Sequence, residues 1–401
     1  MAHAHHNHQA RGPLEPGAAT APAIERTLKI AVLVCAAITI VGLVLLWPSG
    51  SSGSSADPAL LAADPVGARV QSAAVGPCSY DDTSECRTAT ISVTEGETAG
   101  EVFTLEQATG AAGRQMTAGD DILVLIGETV DGTITYSFYE YERSTSMLML
   151  VMVFAAVIVL LGRWRGVGAL AGLAASLAVL VVFLLPSLLD GNSAVLVALV
   201  GSSVIAFIAL YLAHGFTTTT TVALLSTFAA LVVTGILSWL FIHAAHFTGY
   251  ADDSTQFLDA LGVPIDPRGL LLAGVVIGSL GVLDDVTVTQ VSAVWELRAA
   301  QPELTTAELY SSALRIGRDH ISSTVNTLFL AYAGASLPLL LLFSEAGQSI
   351  GGVATREIVA VEIVRSLVGS IGLVAAVPIS TWLAAQVLRP ARPRSPSVST
   401  G

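Results

Sequence analysis

Lysine is all but absent: Lys29 is the only one among 18 basic residues, a bias that points to a GC-rich genome rather than to an activity. Charge of either sign is scarce as well. Of the 401 residues, 12% are charged and 53% hydrophobic, where a soluble protein carries about 25% charged. An ordinary soluble domain is therefore excluded first, and an integral membrane protein is expected. The net charge of −13 leaves no basic face for nucleic acid. There is no GxxxxGK[ST] loop, which excludes ATP hydrolysis by that route, and neither HExxH nor GxSxG occurs. With no nucleophile–base pair to name, the chain is not read as an enzyme, and no nucleotide cofactor is expected. Cysteine is rare too. Cys35 lies in an apolar run and reads as packing. Cys78 and Cys86 stand in a polar region, at a separation unusual for zinc. They pair as a disulfide if that region lies outside the cell, and are two thiols otherwise.

What the chain does have is long apolar runs. A hydrocarbon core of ~30 Å needs about 20 helical residues. Eight segments qualify: 29–47, 146–161, 167–185, 193–213, 220–242, 269–297, 321–343 and 359–388. Arginine sets their orientation. Arg26 and Lys29 precede the first span, Arg163 and Arg165 separate the second and third, Arg298, Arg315 and Arg318 separate the sixth and seventh, and Arg389, Arg392 and Arg394 follow the eighth. Alternation from a cytoplasmic N-terminus puts all four groups inside, with both termini cytoplasmic. No small-x-small cleavage site directly follows Trp47-Pro48, so the first span is not read as a signal peptide.

The domain plan follows. Residues 1–28 form a cytoplasmic tail that reads as disordered and carries His3, His5, His6 and His8. The first span is 29–47. Residues 48–143 form an extracytoplasmic β domain, 144–390 a seven-helix membrane domain, and 391–401 a second tail. The β domain opens with the linker PSGSSGSSADP and continues with strand-like runs at 88–93, 101–105, 121–126 and 133–141, with turn signals such as Asp131-Gly132 between them. A small barrel of five strands is expected. It holds 15 Asp/Glu against 4 Arg, which serves solubility or draws cations to an entrance. In the loop 297–320, Thr305-Thr306-Ala307-Glu308 is a capping-box pattern expected to open a short helix to about Ile316, lying along the membrane surface.

The chemistry centres on GVLDDVTVTQ, residues 281–290. The uncharged stretch 269–283 covers only about 22 Å, so the helix must continue past Asp284 and Asp285 to reach water. A carboxylate facing lipid costs ~2.5–3.5 kcal/mol. At 100° per residue, Gly274, Gly278, Gly281, Asp285, Thr289, Ser292 and Glu296 share one narrow arc. Stripes of small residues let helices approach closely. Asp285 is therefore expected to point into the bundle, with Asp284 near Thr287 at its edge. Two adjacent carboxylates suit a proton carrier or a cation ligand; a plainer reading is a protonated Asp285 bonded to a neighbouring helix.

Asn326, on one face with Asp319 and Ser322, is a candidate to complete that site. Glu362 and Arg365 lie three apart on another small and polar stripe and can pair. His243 and His246, one turn apart and followed by Asp252 and Asp253, could collect a metal ion, or be ordinary loop residues. The tail histidines could bind Zn²⁺, Ni²⁺ or Cu²⁺.

At these residues the chain resembles the YibE/F family of bacterial multi-pass membrane proteins. The resemblance rests on GVVIGSLGVLDDVTVTQVSAVWEL, GRDHISSTVNTLFLAYAGASLPLLLL and EIVRSLVGSIGLVAAVPIS, and extends over about 60–390. It implies an eight-span architecture in a bacterial cell membrane, with Gly281, Asp284, Asp285, Gly317, Asn326, Gly334 and Pro338 as the distinctive positions, and it implies no settled activity. The fold expected is an all-α polytopic bundle of about eight transmembrane helices with an inserted small β domain. The function expected is an ATP-independent transporter or permease for an ion or small solute. Asp284, Asp285, Thr289, Asn326 and Glu362 would bind the ion or solute, with a divalent cation as a candidate. The alternative is a non-transporting scaffold or sensor whose β domain binds an envelope partner. The partners expected are the bilayer, an ion or small solute, and either a homo-oligomer or an envelope protein.

Overall fold

A computed structural model describes residues 22–50, 65–79, 81–109, 113–129, 132–345, 347 and 349–388. The tail histidines, most of the Gly/Ser linker, Asp131, and Arg389, Arg392 and Arg394 lie outside the described residues. The chain divides into two compact units. One covers 54–161; the other joins the first helix to everything from 162 onward.

The first unit is built on five antiparallel strands: β1 (Val66–Cys78), β2 (Asp81–Val93), β3 (Val102–Ala108), β4 (Asp121–Glu128) and β5 (Ile134–Tyr141). Their order is β3-β2-β1-β4-β5. β1, which the sequence reading left unassigned, organises the sheet. Its register shifts between Val70 and Ser72, so Val66–Arg69 pair with β4 while most of the strand pairs with β2. Such a bulge bends a strand and tightens its twist. The edge strands consequently meet through side chains, with the Phe103 and Tyr136 rings stacked at 4.1 Å. The expected barrel is thus a strongly curled sheet, partly open between β3 and β5. Ala68, Val70, Ala89, Ile91, Ile122 and Val124 alternate inward to fill it, with Met116 from the β3–β4 loop. A disulfide joins Cys78 to Cys86 across the β1–β2 hairpin.

The second unit is helical. Its elements are α1 (Pro22–Leu45), α2 (Ser144–Val179, which begins in the first unit), a π-helical turn (Leu180–Leu184), α3 (Leu185–Leu189), α4 (Ala194–His214), α5 (Thr218–Ala244), α6 (Asp253–Ala260), α7 (Pro267–Ala300), α8 (Thr306–Ala335), α9 (Leu337–Glu345), α10 (Ile350–Ala354) and α11 (Glu357–Val387). The π turn precedes Pro186, whose missing N–H cannot continue the regular ladder. Among the described residues six helices are long and apolar enough to cross a membrane, or seven when α8 and α9, bent by 60°, count as one broken span.

Eight had been expected. The difference lies at 146–161 and 167–185, which share one helical run from Ser144 to Leu189. Its backbone leaves helical geometry only at Arg163, where φ is 51°. A second difference concerns α8. The capping box forms, Thr305 and Glu308 bonding each other's backbone, but no short surface helix follows. The helix runs unbroken from Thr306 to Ala335, because nothing from Ile316 to Ile321 breaks it.

The core is the mutual packing of α5, α7 and α11, where Leu224, Ala230, Val276, Leu283, Leu373 and Val377 are buried together. Two glycines set its tightness. A Cβ at Gly372 of α11 would collide with the Thr234 hydroxyl of α5, and one at Gly317 of α8 would collide with Val377 and Gln290. Small residues do bring these helices close, as expected in lipid, though on other helices than the α7 stripe.

Candidate functional site

α7 is positioned by Asp266, which caps its first turn by accepting from the Arg268 N–H, with Pro267 behind it. Along its length Leu272, Val276, Leu283, Val286, Val291 and Val294 are buried. Taken at 100° per residue, this arc is centred almost opposite the small and polar stripe. Gly278, Gly281, Asp285, Thr289, Ser292 and Glu296 are accordingly exposed. The expected roles of the two aspartates are reversed: Asp284 turns toward α5, and Asp285 faces out. Helix association in lipid rests on packing contacts, and the large branched arc offers far more of them than glycine and serine do.

Asp284 enters a small polar cluster in an otherwise apolar interface. Its carboxylate lies beside the Thr227 side chain of α5. The Thr227 and Thr287 hydroxyls are 2.7 Å apart, and the Thr287 hydroxyl also donates to the Asp284 backbone oxygen at 3.1 Å. The Asp284 Oδ1 is buried and has no hydrogen-bond partner. A carboxylate flanked by hydroxyls offers oxygen donors, which suit a proton or a hard cation.

A family model described as YibE/F-like protein matches residues 150–390. The chain belongs to the YibE/F-like family. No curated protein and no solved structure matches it. The match contains the α5–α7–α11 core and leaves the five strands outside.

The other expected site residues of this YibE/F-like chain are dispersed. Thr289 opens onto a groove of about 420 Å³ that also reaches Asp319, His320 and Ser323 of α8. Asn326 is exposed on α8, on the arc away from its buried Gly317 and Leu328. Glu362 and Arg365 do pair, at 2.9 Å. His243 and His246 are exposed, and each turns its Nδ1 to a nearby backbone carbonyl, of Trp239 and Ala244 respectively. Asp252 caps α6. The expected metal mouth is not assembled: among the described residues no group of three or more His, Cys, Asp or Glu could hold an ion.

Two polar residues of α7 outside the expected site are tied into the bundle. Gln290 is buried and donates to the Ala313 carbonyl at 3.0 Å and to the Thr381 hydroxyl at 2.7 Å, linking three helices. Arg298 is buried as well. It donates to the carbonyls of Pro302, Leu304 and Leu388, at 3.2, 2.6 and 3.4 Å, and so fastens the ends of α7 and α11. The available signal was spacing: Thr287, Gln290 and Arg298 fall on the same arc as the buried valines.

Proposed function

We propose that this YibE/F-like chain is an ATP-independent transporter or permease for an ion or small solute, in which Asp284 takes up and releases a proton or cation. One observation carries the reading: a carboxylate oxygen buried in the interface of two long apolar helices, with no partner. Buried polar atoms are almost always satisfied, and exceptions call for an explanation. Ionisable side chains within a span are functional candidates by default. The Thr227 hydroxyl, beside that carboxylate and paired with Thr287, would hydrogen-bond the protonated acid or lend an oxygen to a bound cation. Asp285, on the outer arc, is a secondary contact at most.

The accompanying topology has cytoplasmic termini, the strands outside the cell, and a break at Arg163 that divides 144–189 into two crossings, making eight. The arginine distribution supports it. The test is flux in proteoliposomes, with protons and divalent metals tried first. Asp284→Asn should abolish flux while the protein remains monodisperse, and Asp285→Asn should retain most of it. Undiminished flux through folded Asp284→Asn would overturn the reading.

A second reading, a membrane scaffold or sensor, is favoured by the compactness of the strand unit and its position outside the family match. In that case removing the strands would abolish the cellular role and Asp284→Asn would leave it intact.

A further inference from the structure

A cleft of about 400 Å³ opens at the bend between α8 and α9 and is closed by residues of α10 and α11. Its wall is mostly apolar and includes Phe329, Leu340 and Ile363, while its polar lining includes Tyr332, Glu362 and Ser366. Glu362 is salt-bridged to Arg365, yet only Glu362 of the two lines the cleft. The guanidinium is turned elsewhere: Nη1 holds Glu362, and Nη2 lies 3.8 Å from where a Cβ of Gly274 would stand on α7. The Tyr332 hydroxyl likewise points to α7, 3.3 Å from the corresponding position at Gly278, which leaves its ring to the cleft. Ser366 is 96% buried, since 4% of it is exposed, and its hydroxyl has no partner. The cleft therefore shows a ligand one carboxylate, the buried unpartnered Ser366 hydroxyl with those of Ser336 and Ser344, and aromatic rings, in an apolar frame.

We propose that this cleft binds an ammonium group carried on an apolar body. The N–H groups would donate to the Glu362 carboxylate and the Ser366 hydroxyl, and the cation would lie against aromatic faces, which attract positive charge. The apolar body would fill the wall formed by Leu340 and Ile363. An anion is disfavoured because Arg365 is paired with Glu362 and turned toward α7, and Arg356, the other arginine near the cleft among the described residues, lies over the Phe343 ring. Gly278 gains a role here, since a Cβ there would press on the Tyr332 hydroxyl. The inference is independent of Asp284, because it is read as binding and not as flux.

The test uses full-length protein in phosphatidylglycerol nanodiscs, titrated with tritiated phenethylamine. Wild type should bind saturably. Glu362→Gln should weaken binding about ten-fold or more, the loss expected for a charge-assisted hydrogen bond. Ala333→Trp, which fills the cleft and spares the ion pair, should abolish it. Phenylacetate, with a similar body and the opposite charge, should not compete. Full binding by Glu362→Gln, or competition by phenylacetate equal to that of the amine, would overturn the proposal. If Glu362→Gln misfolds because Arg365 loses its partner, Ala333→Trp decides alone, and wild-type binding by it is equally fatal. Phosphatidylethanolamine added to the discs separates two sources of the same chemistry. Competition by it assigns the ammonium to a lipid headgroup; none assigns it to a free amine.

Discussion

The strand unit and the helical unit treat charge in opposite ways. In the strands Arg69 meets Asp121 at 2.6 Å, Arg114 meets Asp120 at 2.5 Å, and Arg143 meets Glu140. Every arginine in these pairs is more than half exposed, and only Asp120 among their partners is mostly buried, so water screens the pairs and each contributes little. In the helices charges are few, and their placement is decided by packing. Glu362 and Arg365 are each about a quarter exposed, Arg298 is held by three carbonyls, and Asp284 is left with an unpartnered oxygen. The difference teaches where to look for function. An acidic residue among the strands is one of many and is screened by water. An acidic residue in the α5–α7 interface opposes its own surroundings and persists only with a use or a partner.

That contrast can be broken by perturbing one unit and monitoring the other. The largest effect is expected from Cys78→Ser. Opening the disulfide releases a short loop in the unfolded chain, worth about 2–3 kcal/mol. Hydrogen exchange should quicken across β1, β2 and β4 and stay unchanged in α5, α7 and α11. Quickening in both would mean that the units do not unfold independently. Next is Gly372→Val, where the new side chain meets Thr234. Overpacking of this kind costs about 1–3 kcal/mol, and the loss should appear in the thermal midpoint of the helices with the strands untouched. Gln290→Ala strips donors from the Ala313 carbonyl and the Thr381 hydroxyl. Neither group is orphaned, since the Ala313 carbonyl keeps its bond within α8 and the Thr381 hydroxyl still donates to the Val377 carbonyl; the loss is that of the hydrogen bonds alone, about 0.5–1.5 kcal/mol each, and should be the smaller of the two helical effects.

Much of this architecture was legible in the sequence, and the misses share a cause. Long apolar runs announced the helices, and alternation in ITYSFYEY announced β5. Thr305 and Glu308 announced the start of α8. β1 was missed because VGARVQSAAVGPC alternates poorly; its role comes from a bulge and two partners, which are non-local facts. The orientation of the paired aspartates was only partly legible. GVLDDVTVTQ does carry a carboxylate into the bundle, but it is Asp284 that turns inward and Asp285 that is exposed. Sequence periodicity gives two arcs on α7, one large and branched, one small and polar. It does not say which arc the neighbouring helices take. The Thr227–Thr287 pairing that receives Asp284 depends on the register of α5 against α7, which no local pattern encodes. The Glu362–Arg365 pair needed only one helix, and it was legible.

The smallest predicted effect is on acid stability, and its sign distinguishes the units. The hydrogen bond from Arg69 holds the Asp121 carboxyl below the usual carboxylate range; burial opposes it and the Arg69 charge adds to it. Hydrogen bonds from the Ser79 side chain and backbone N–H do the same for Glu106. A carboxyl whose pKa is lower folded than unfolded binds protons more readily in the unfolded chain. Its stabilising contribution is complete above the unfolded value, about 4, and disappears as pH falls through the folded value. Exchange protection of β1 and β4, corrected for intrinsic rates, should therefore stay flat from pH 7 to about 5 and decline below about 4. Both groups are solvent-exposed, so the decline should be shallow and should shrink further in high salt. Asp121→Asn should flatten part of it. The described strands contain no histidine. A loss of protection already between pH 7 and 6 would therefore implicate groups outside these pairs, and the view of the strand charges as cheap and independently paired would fail.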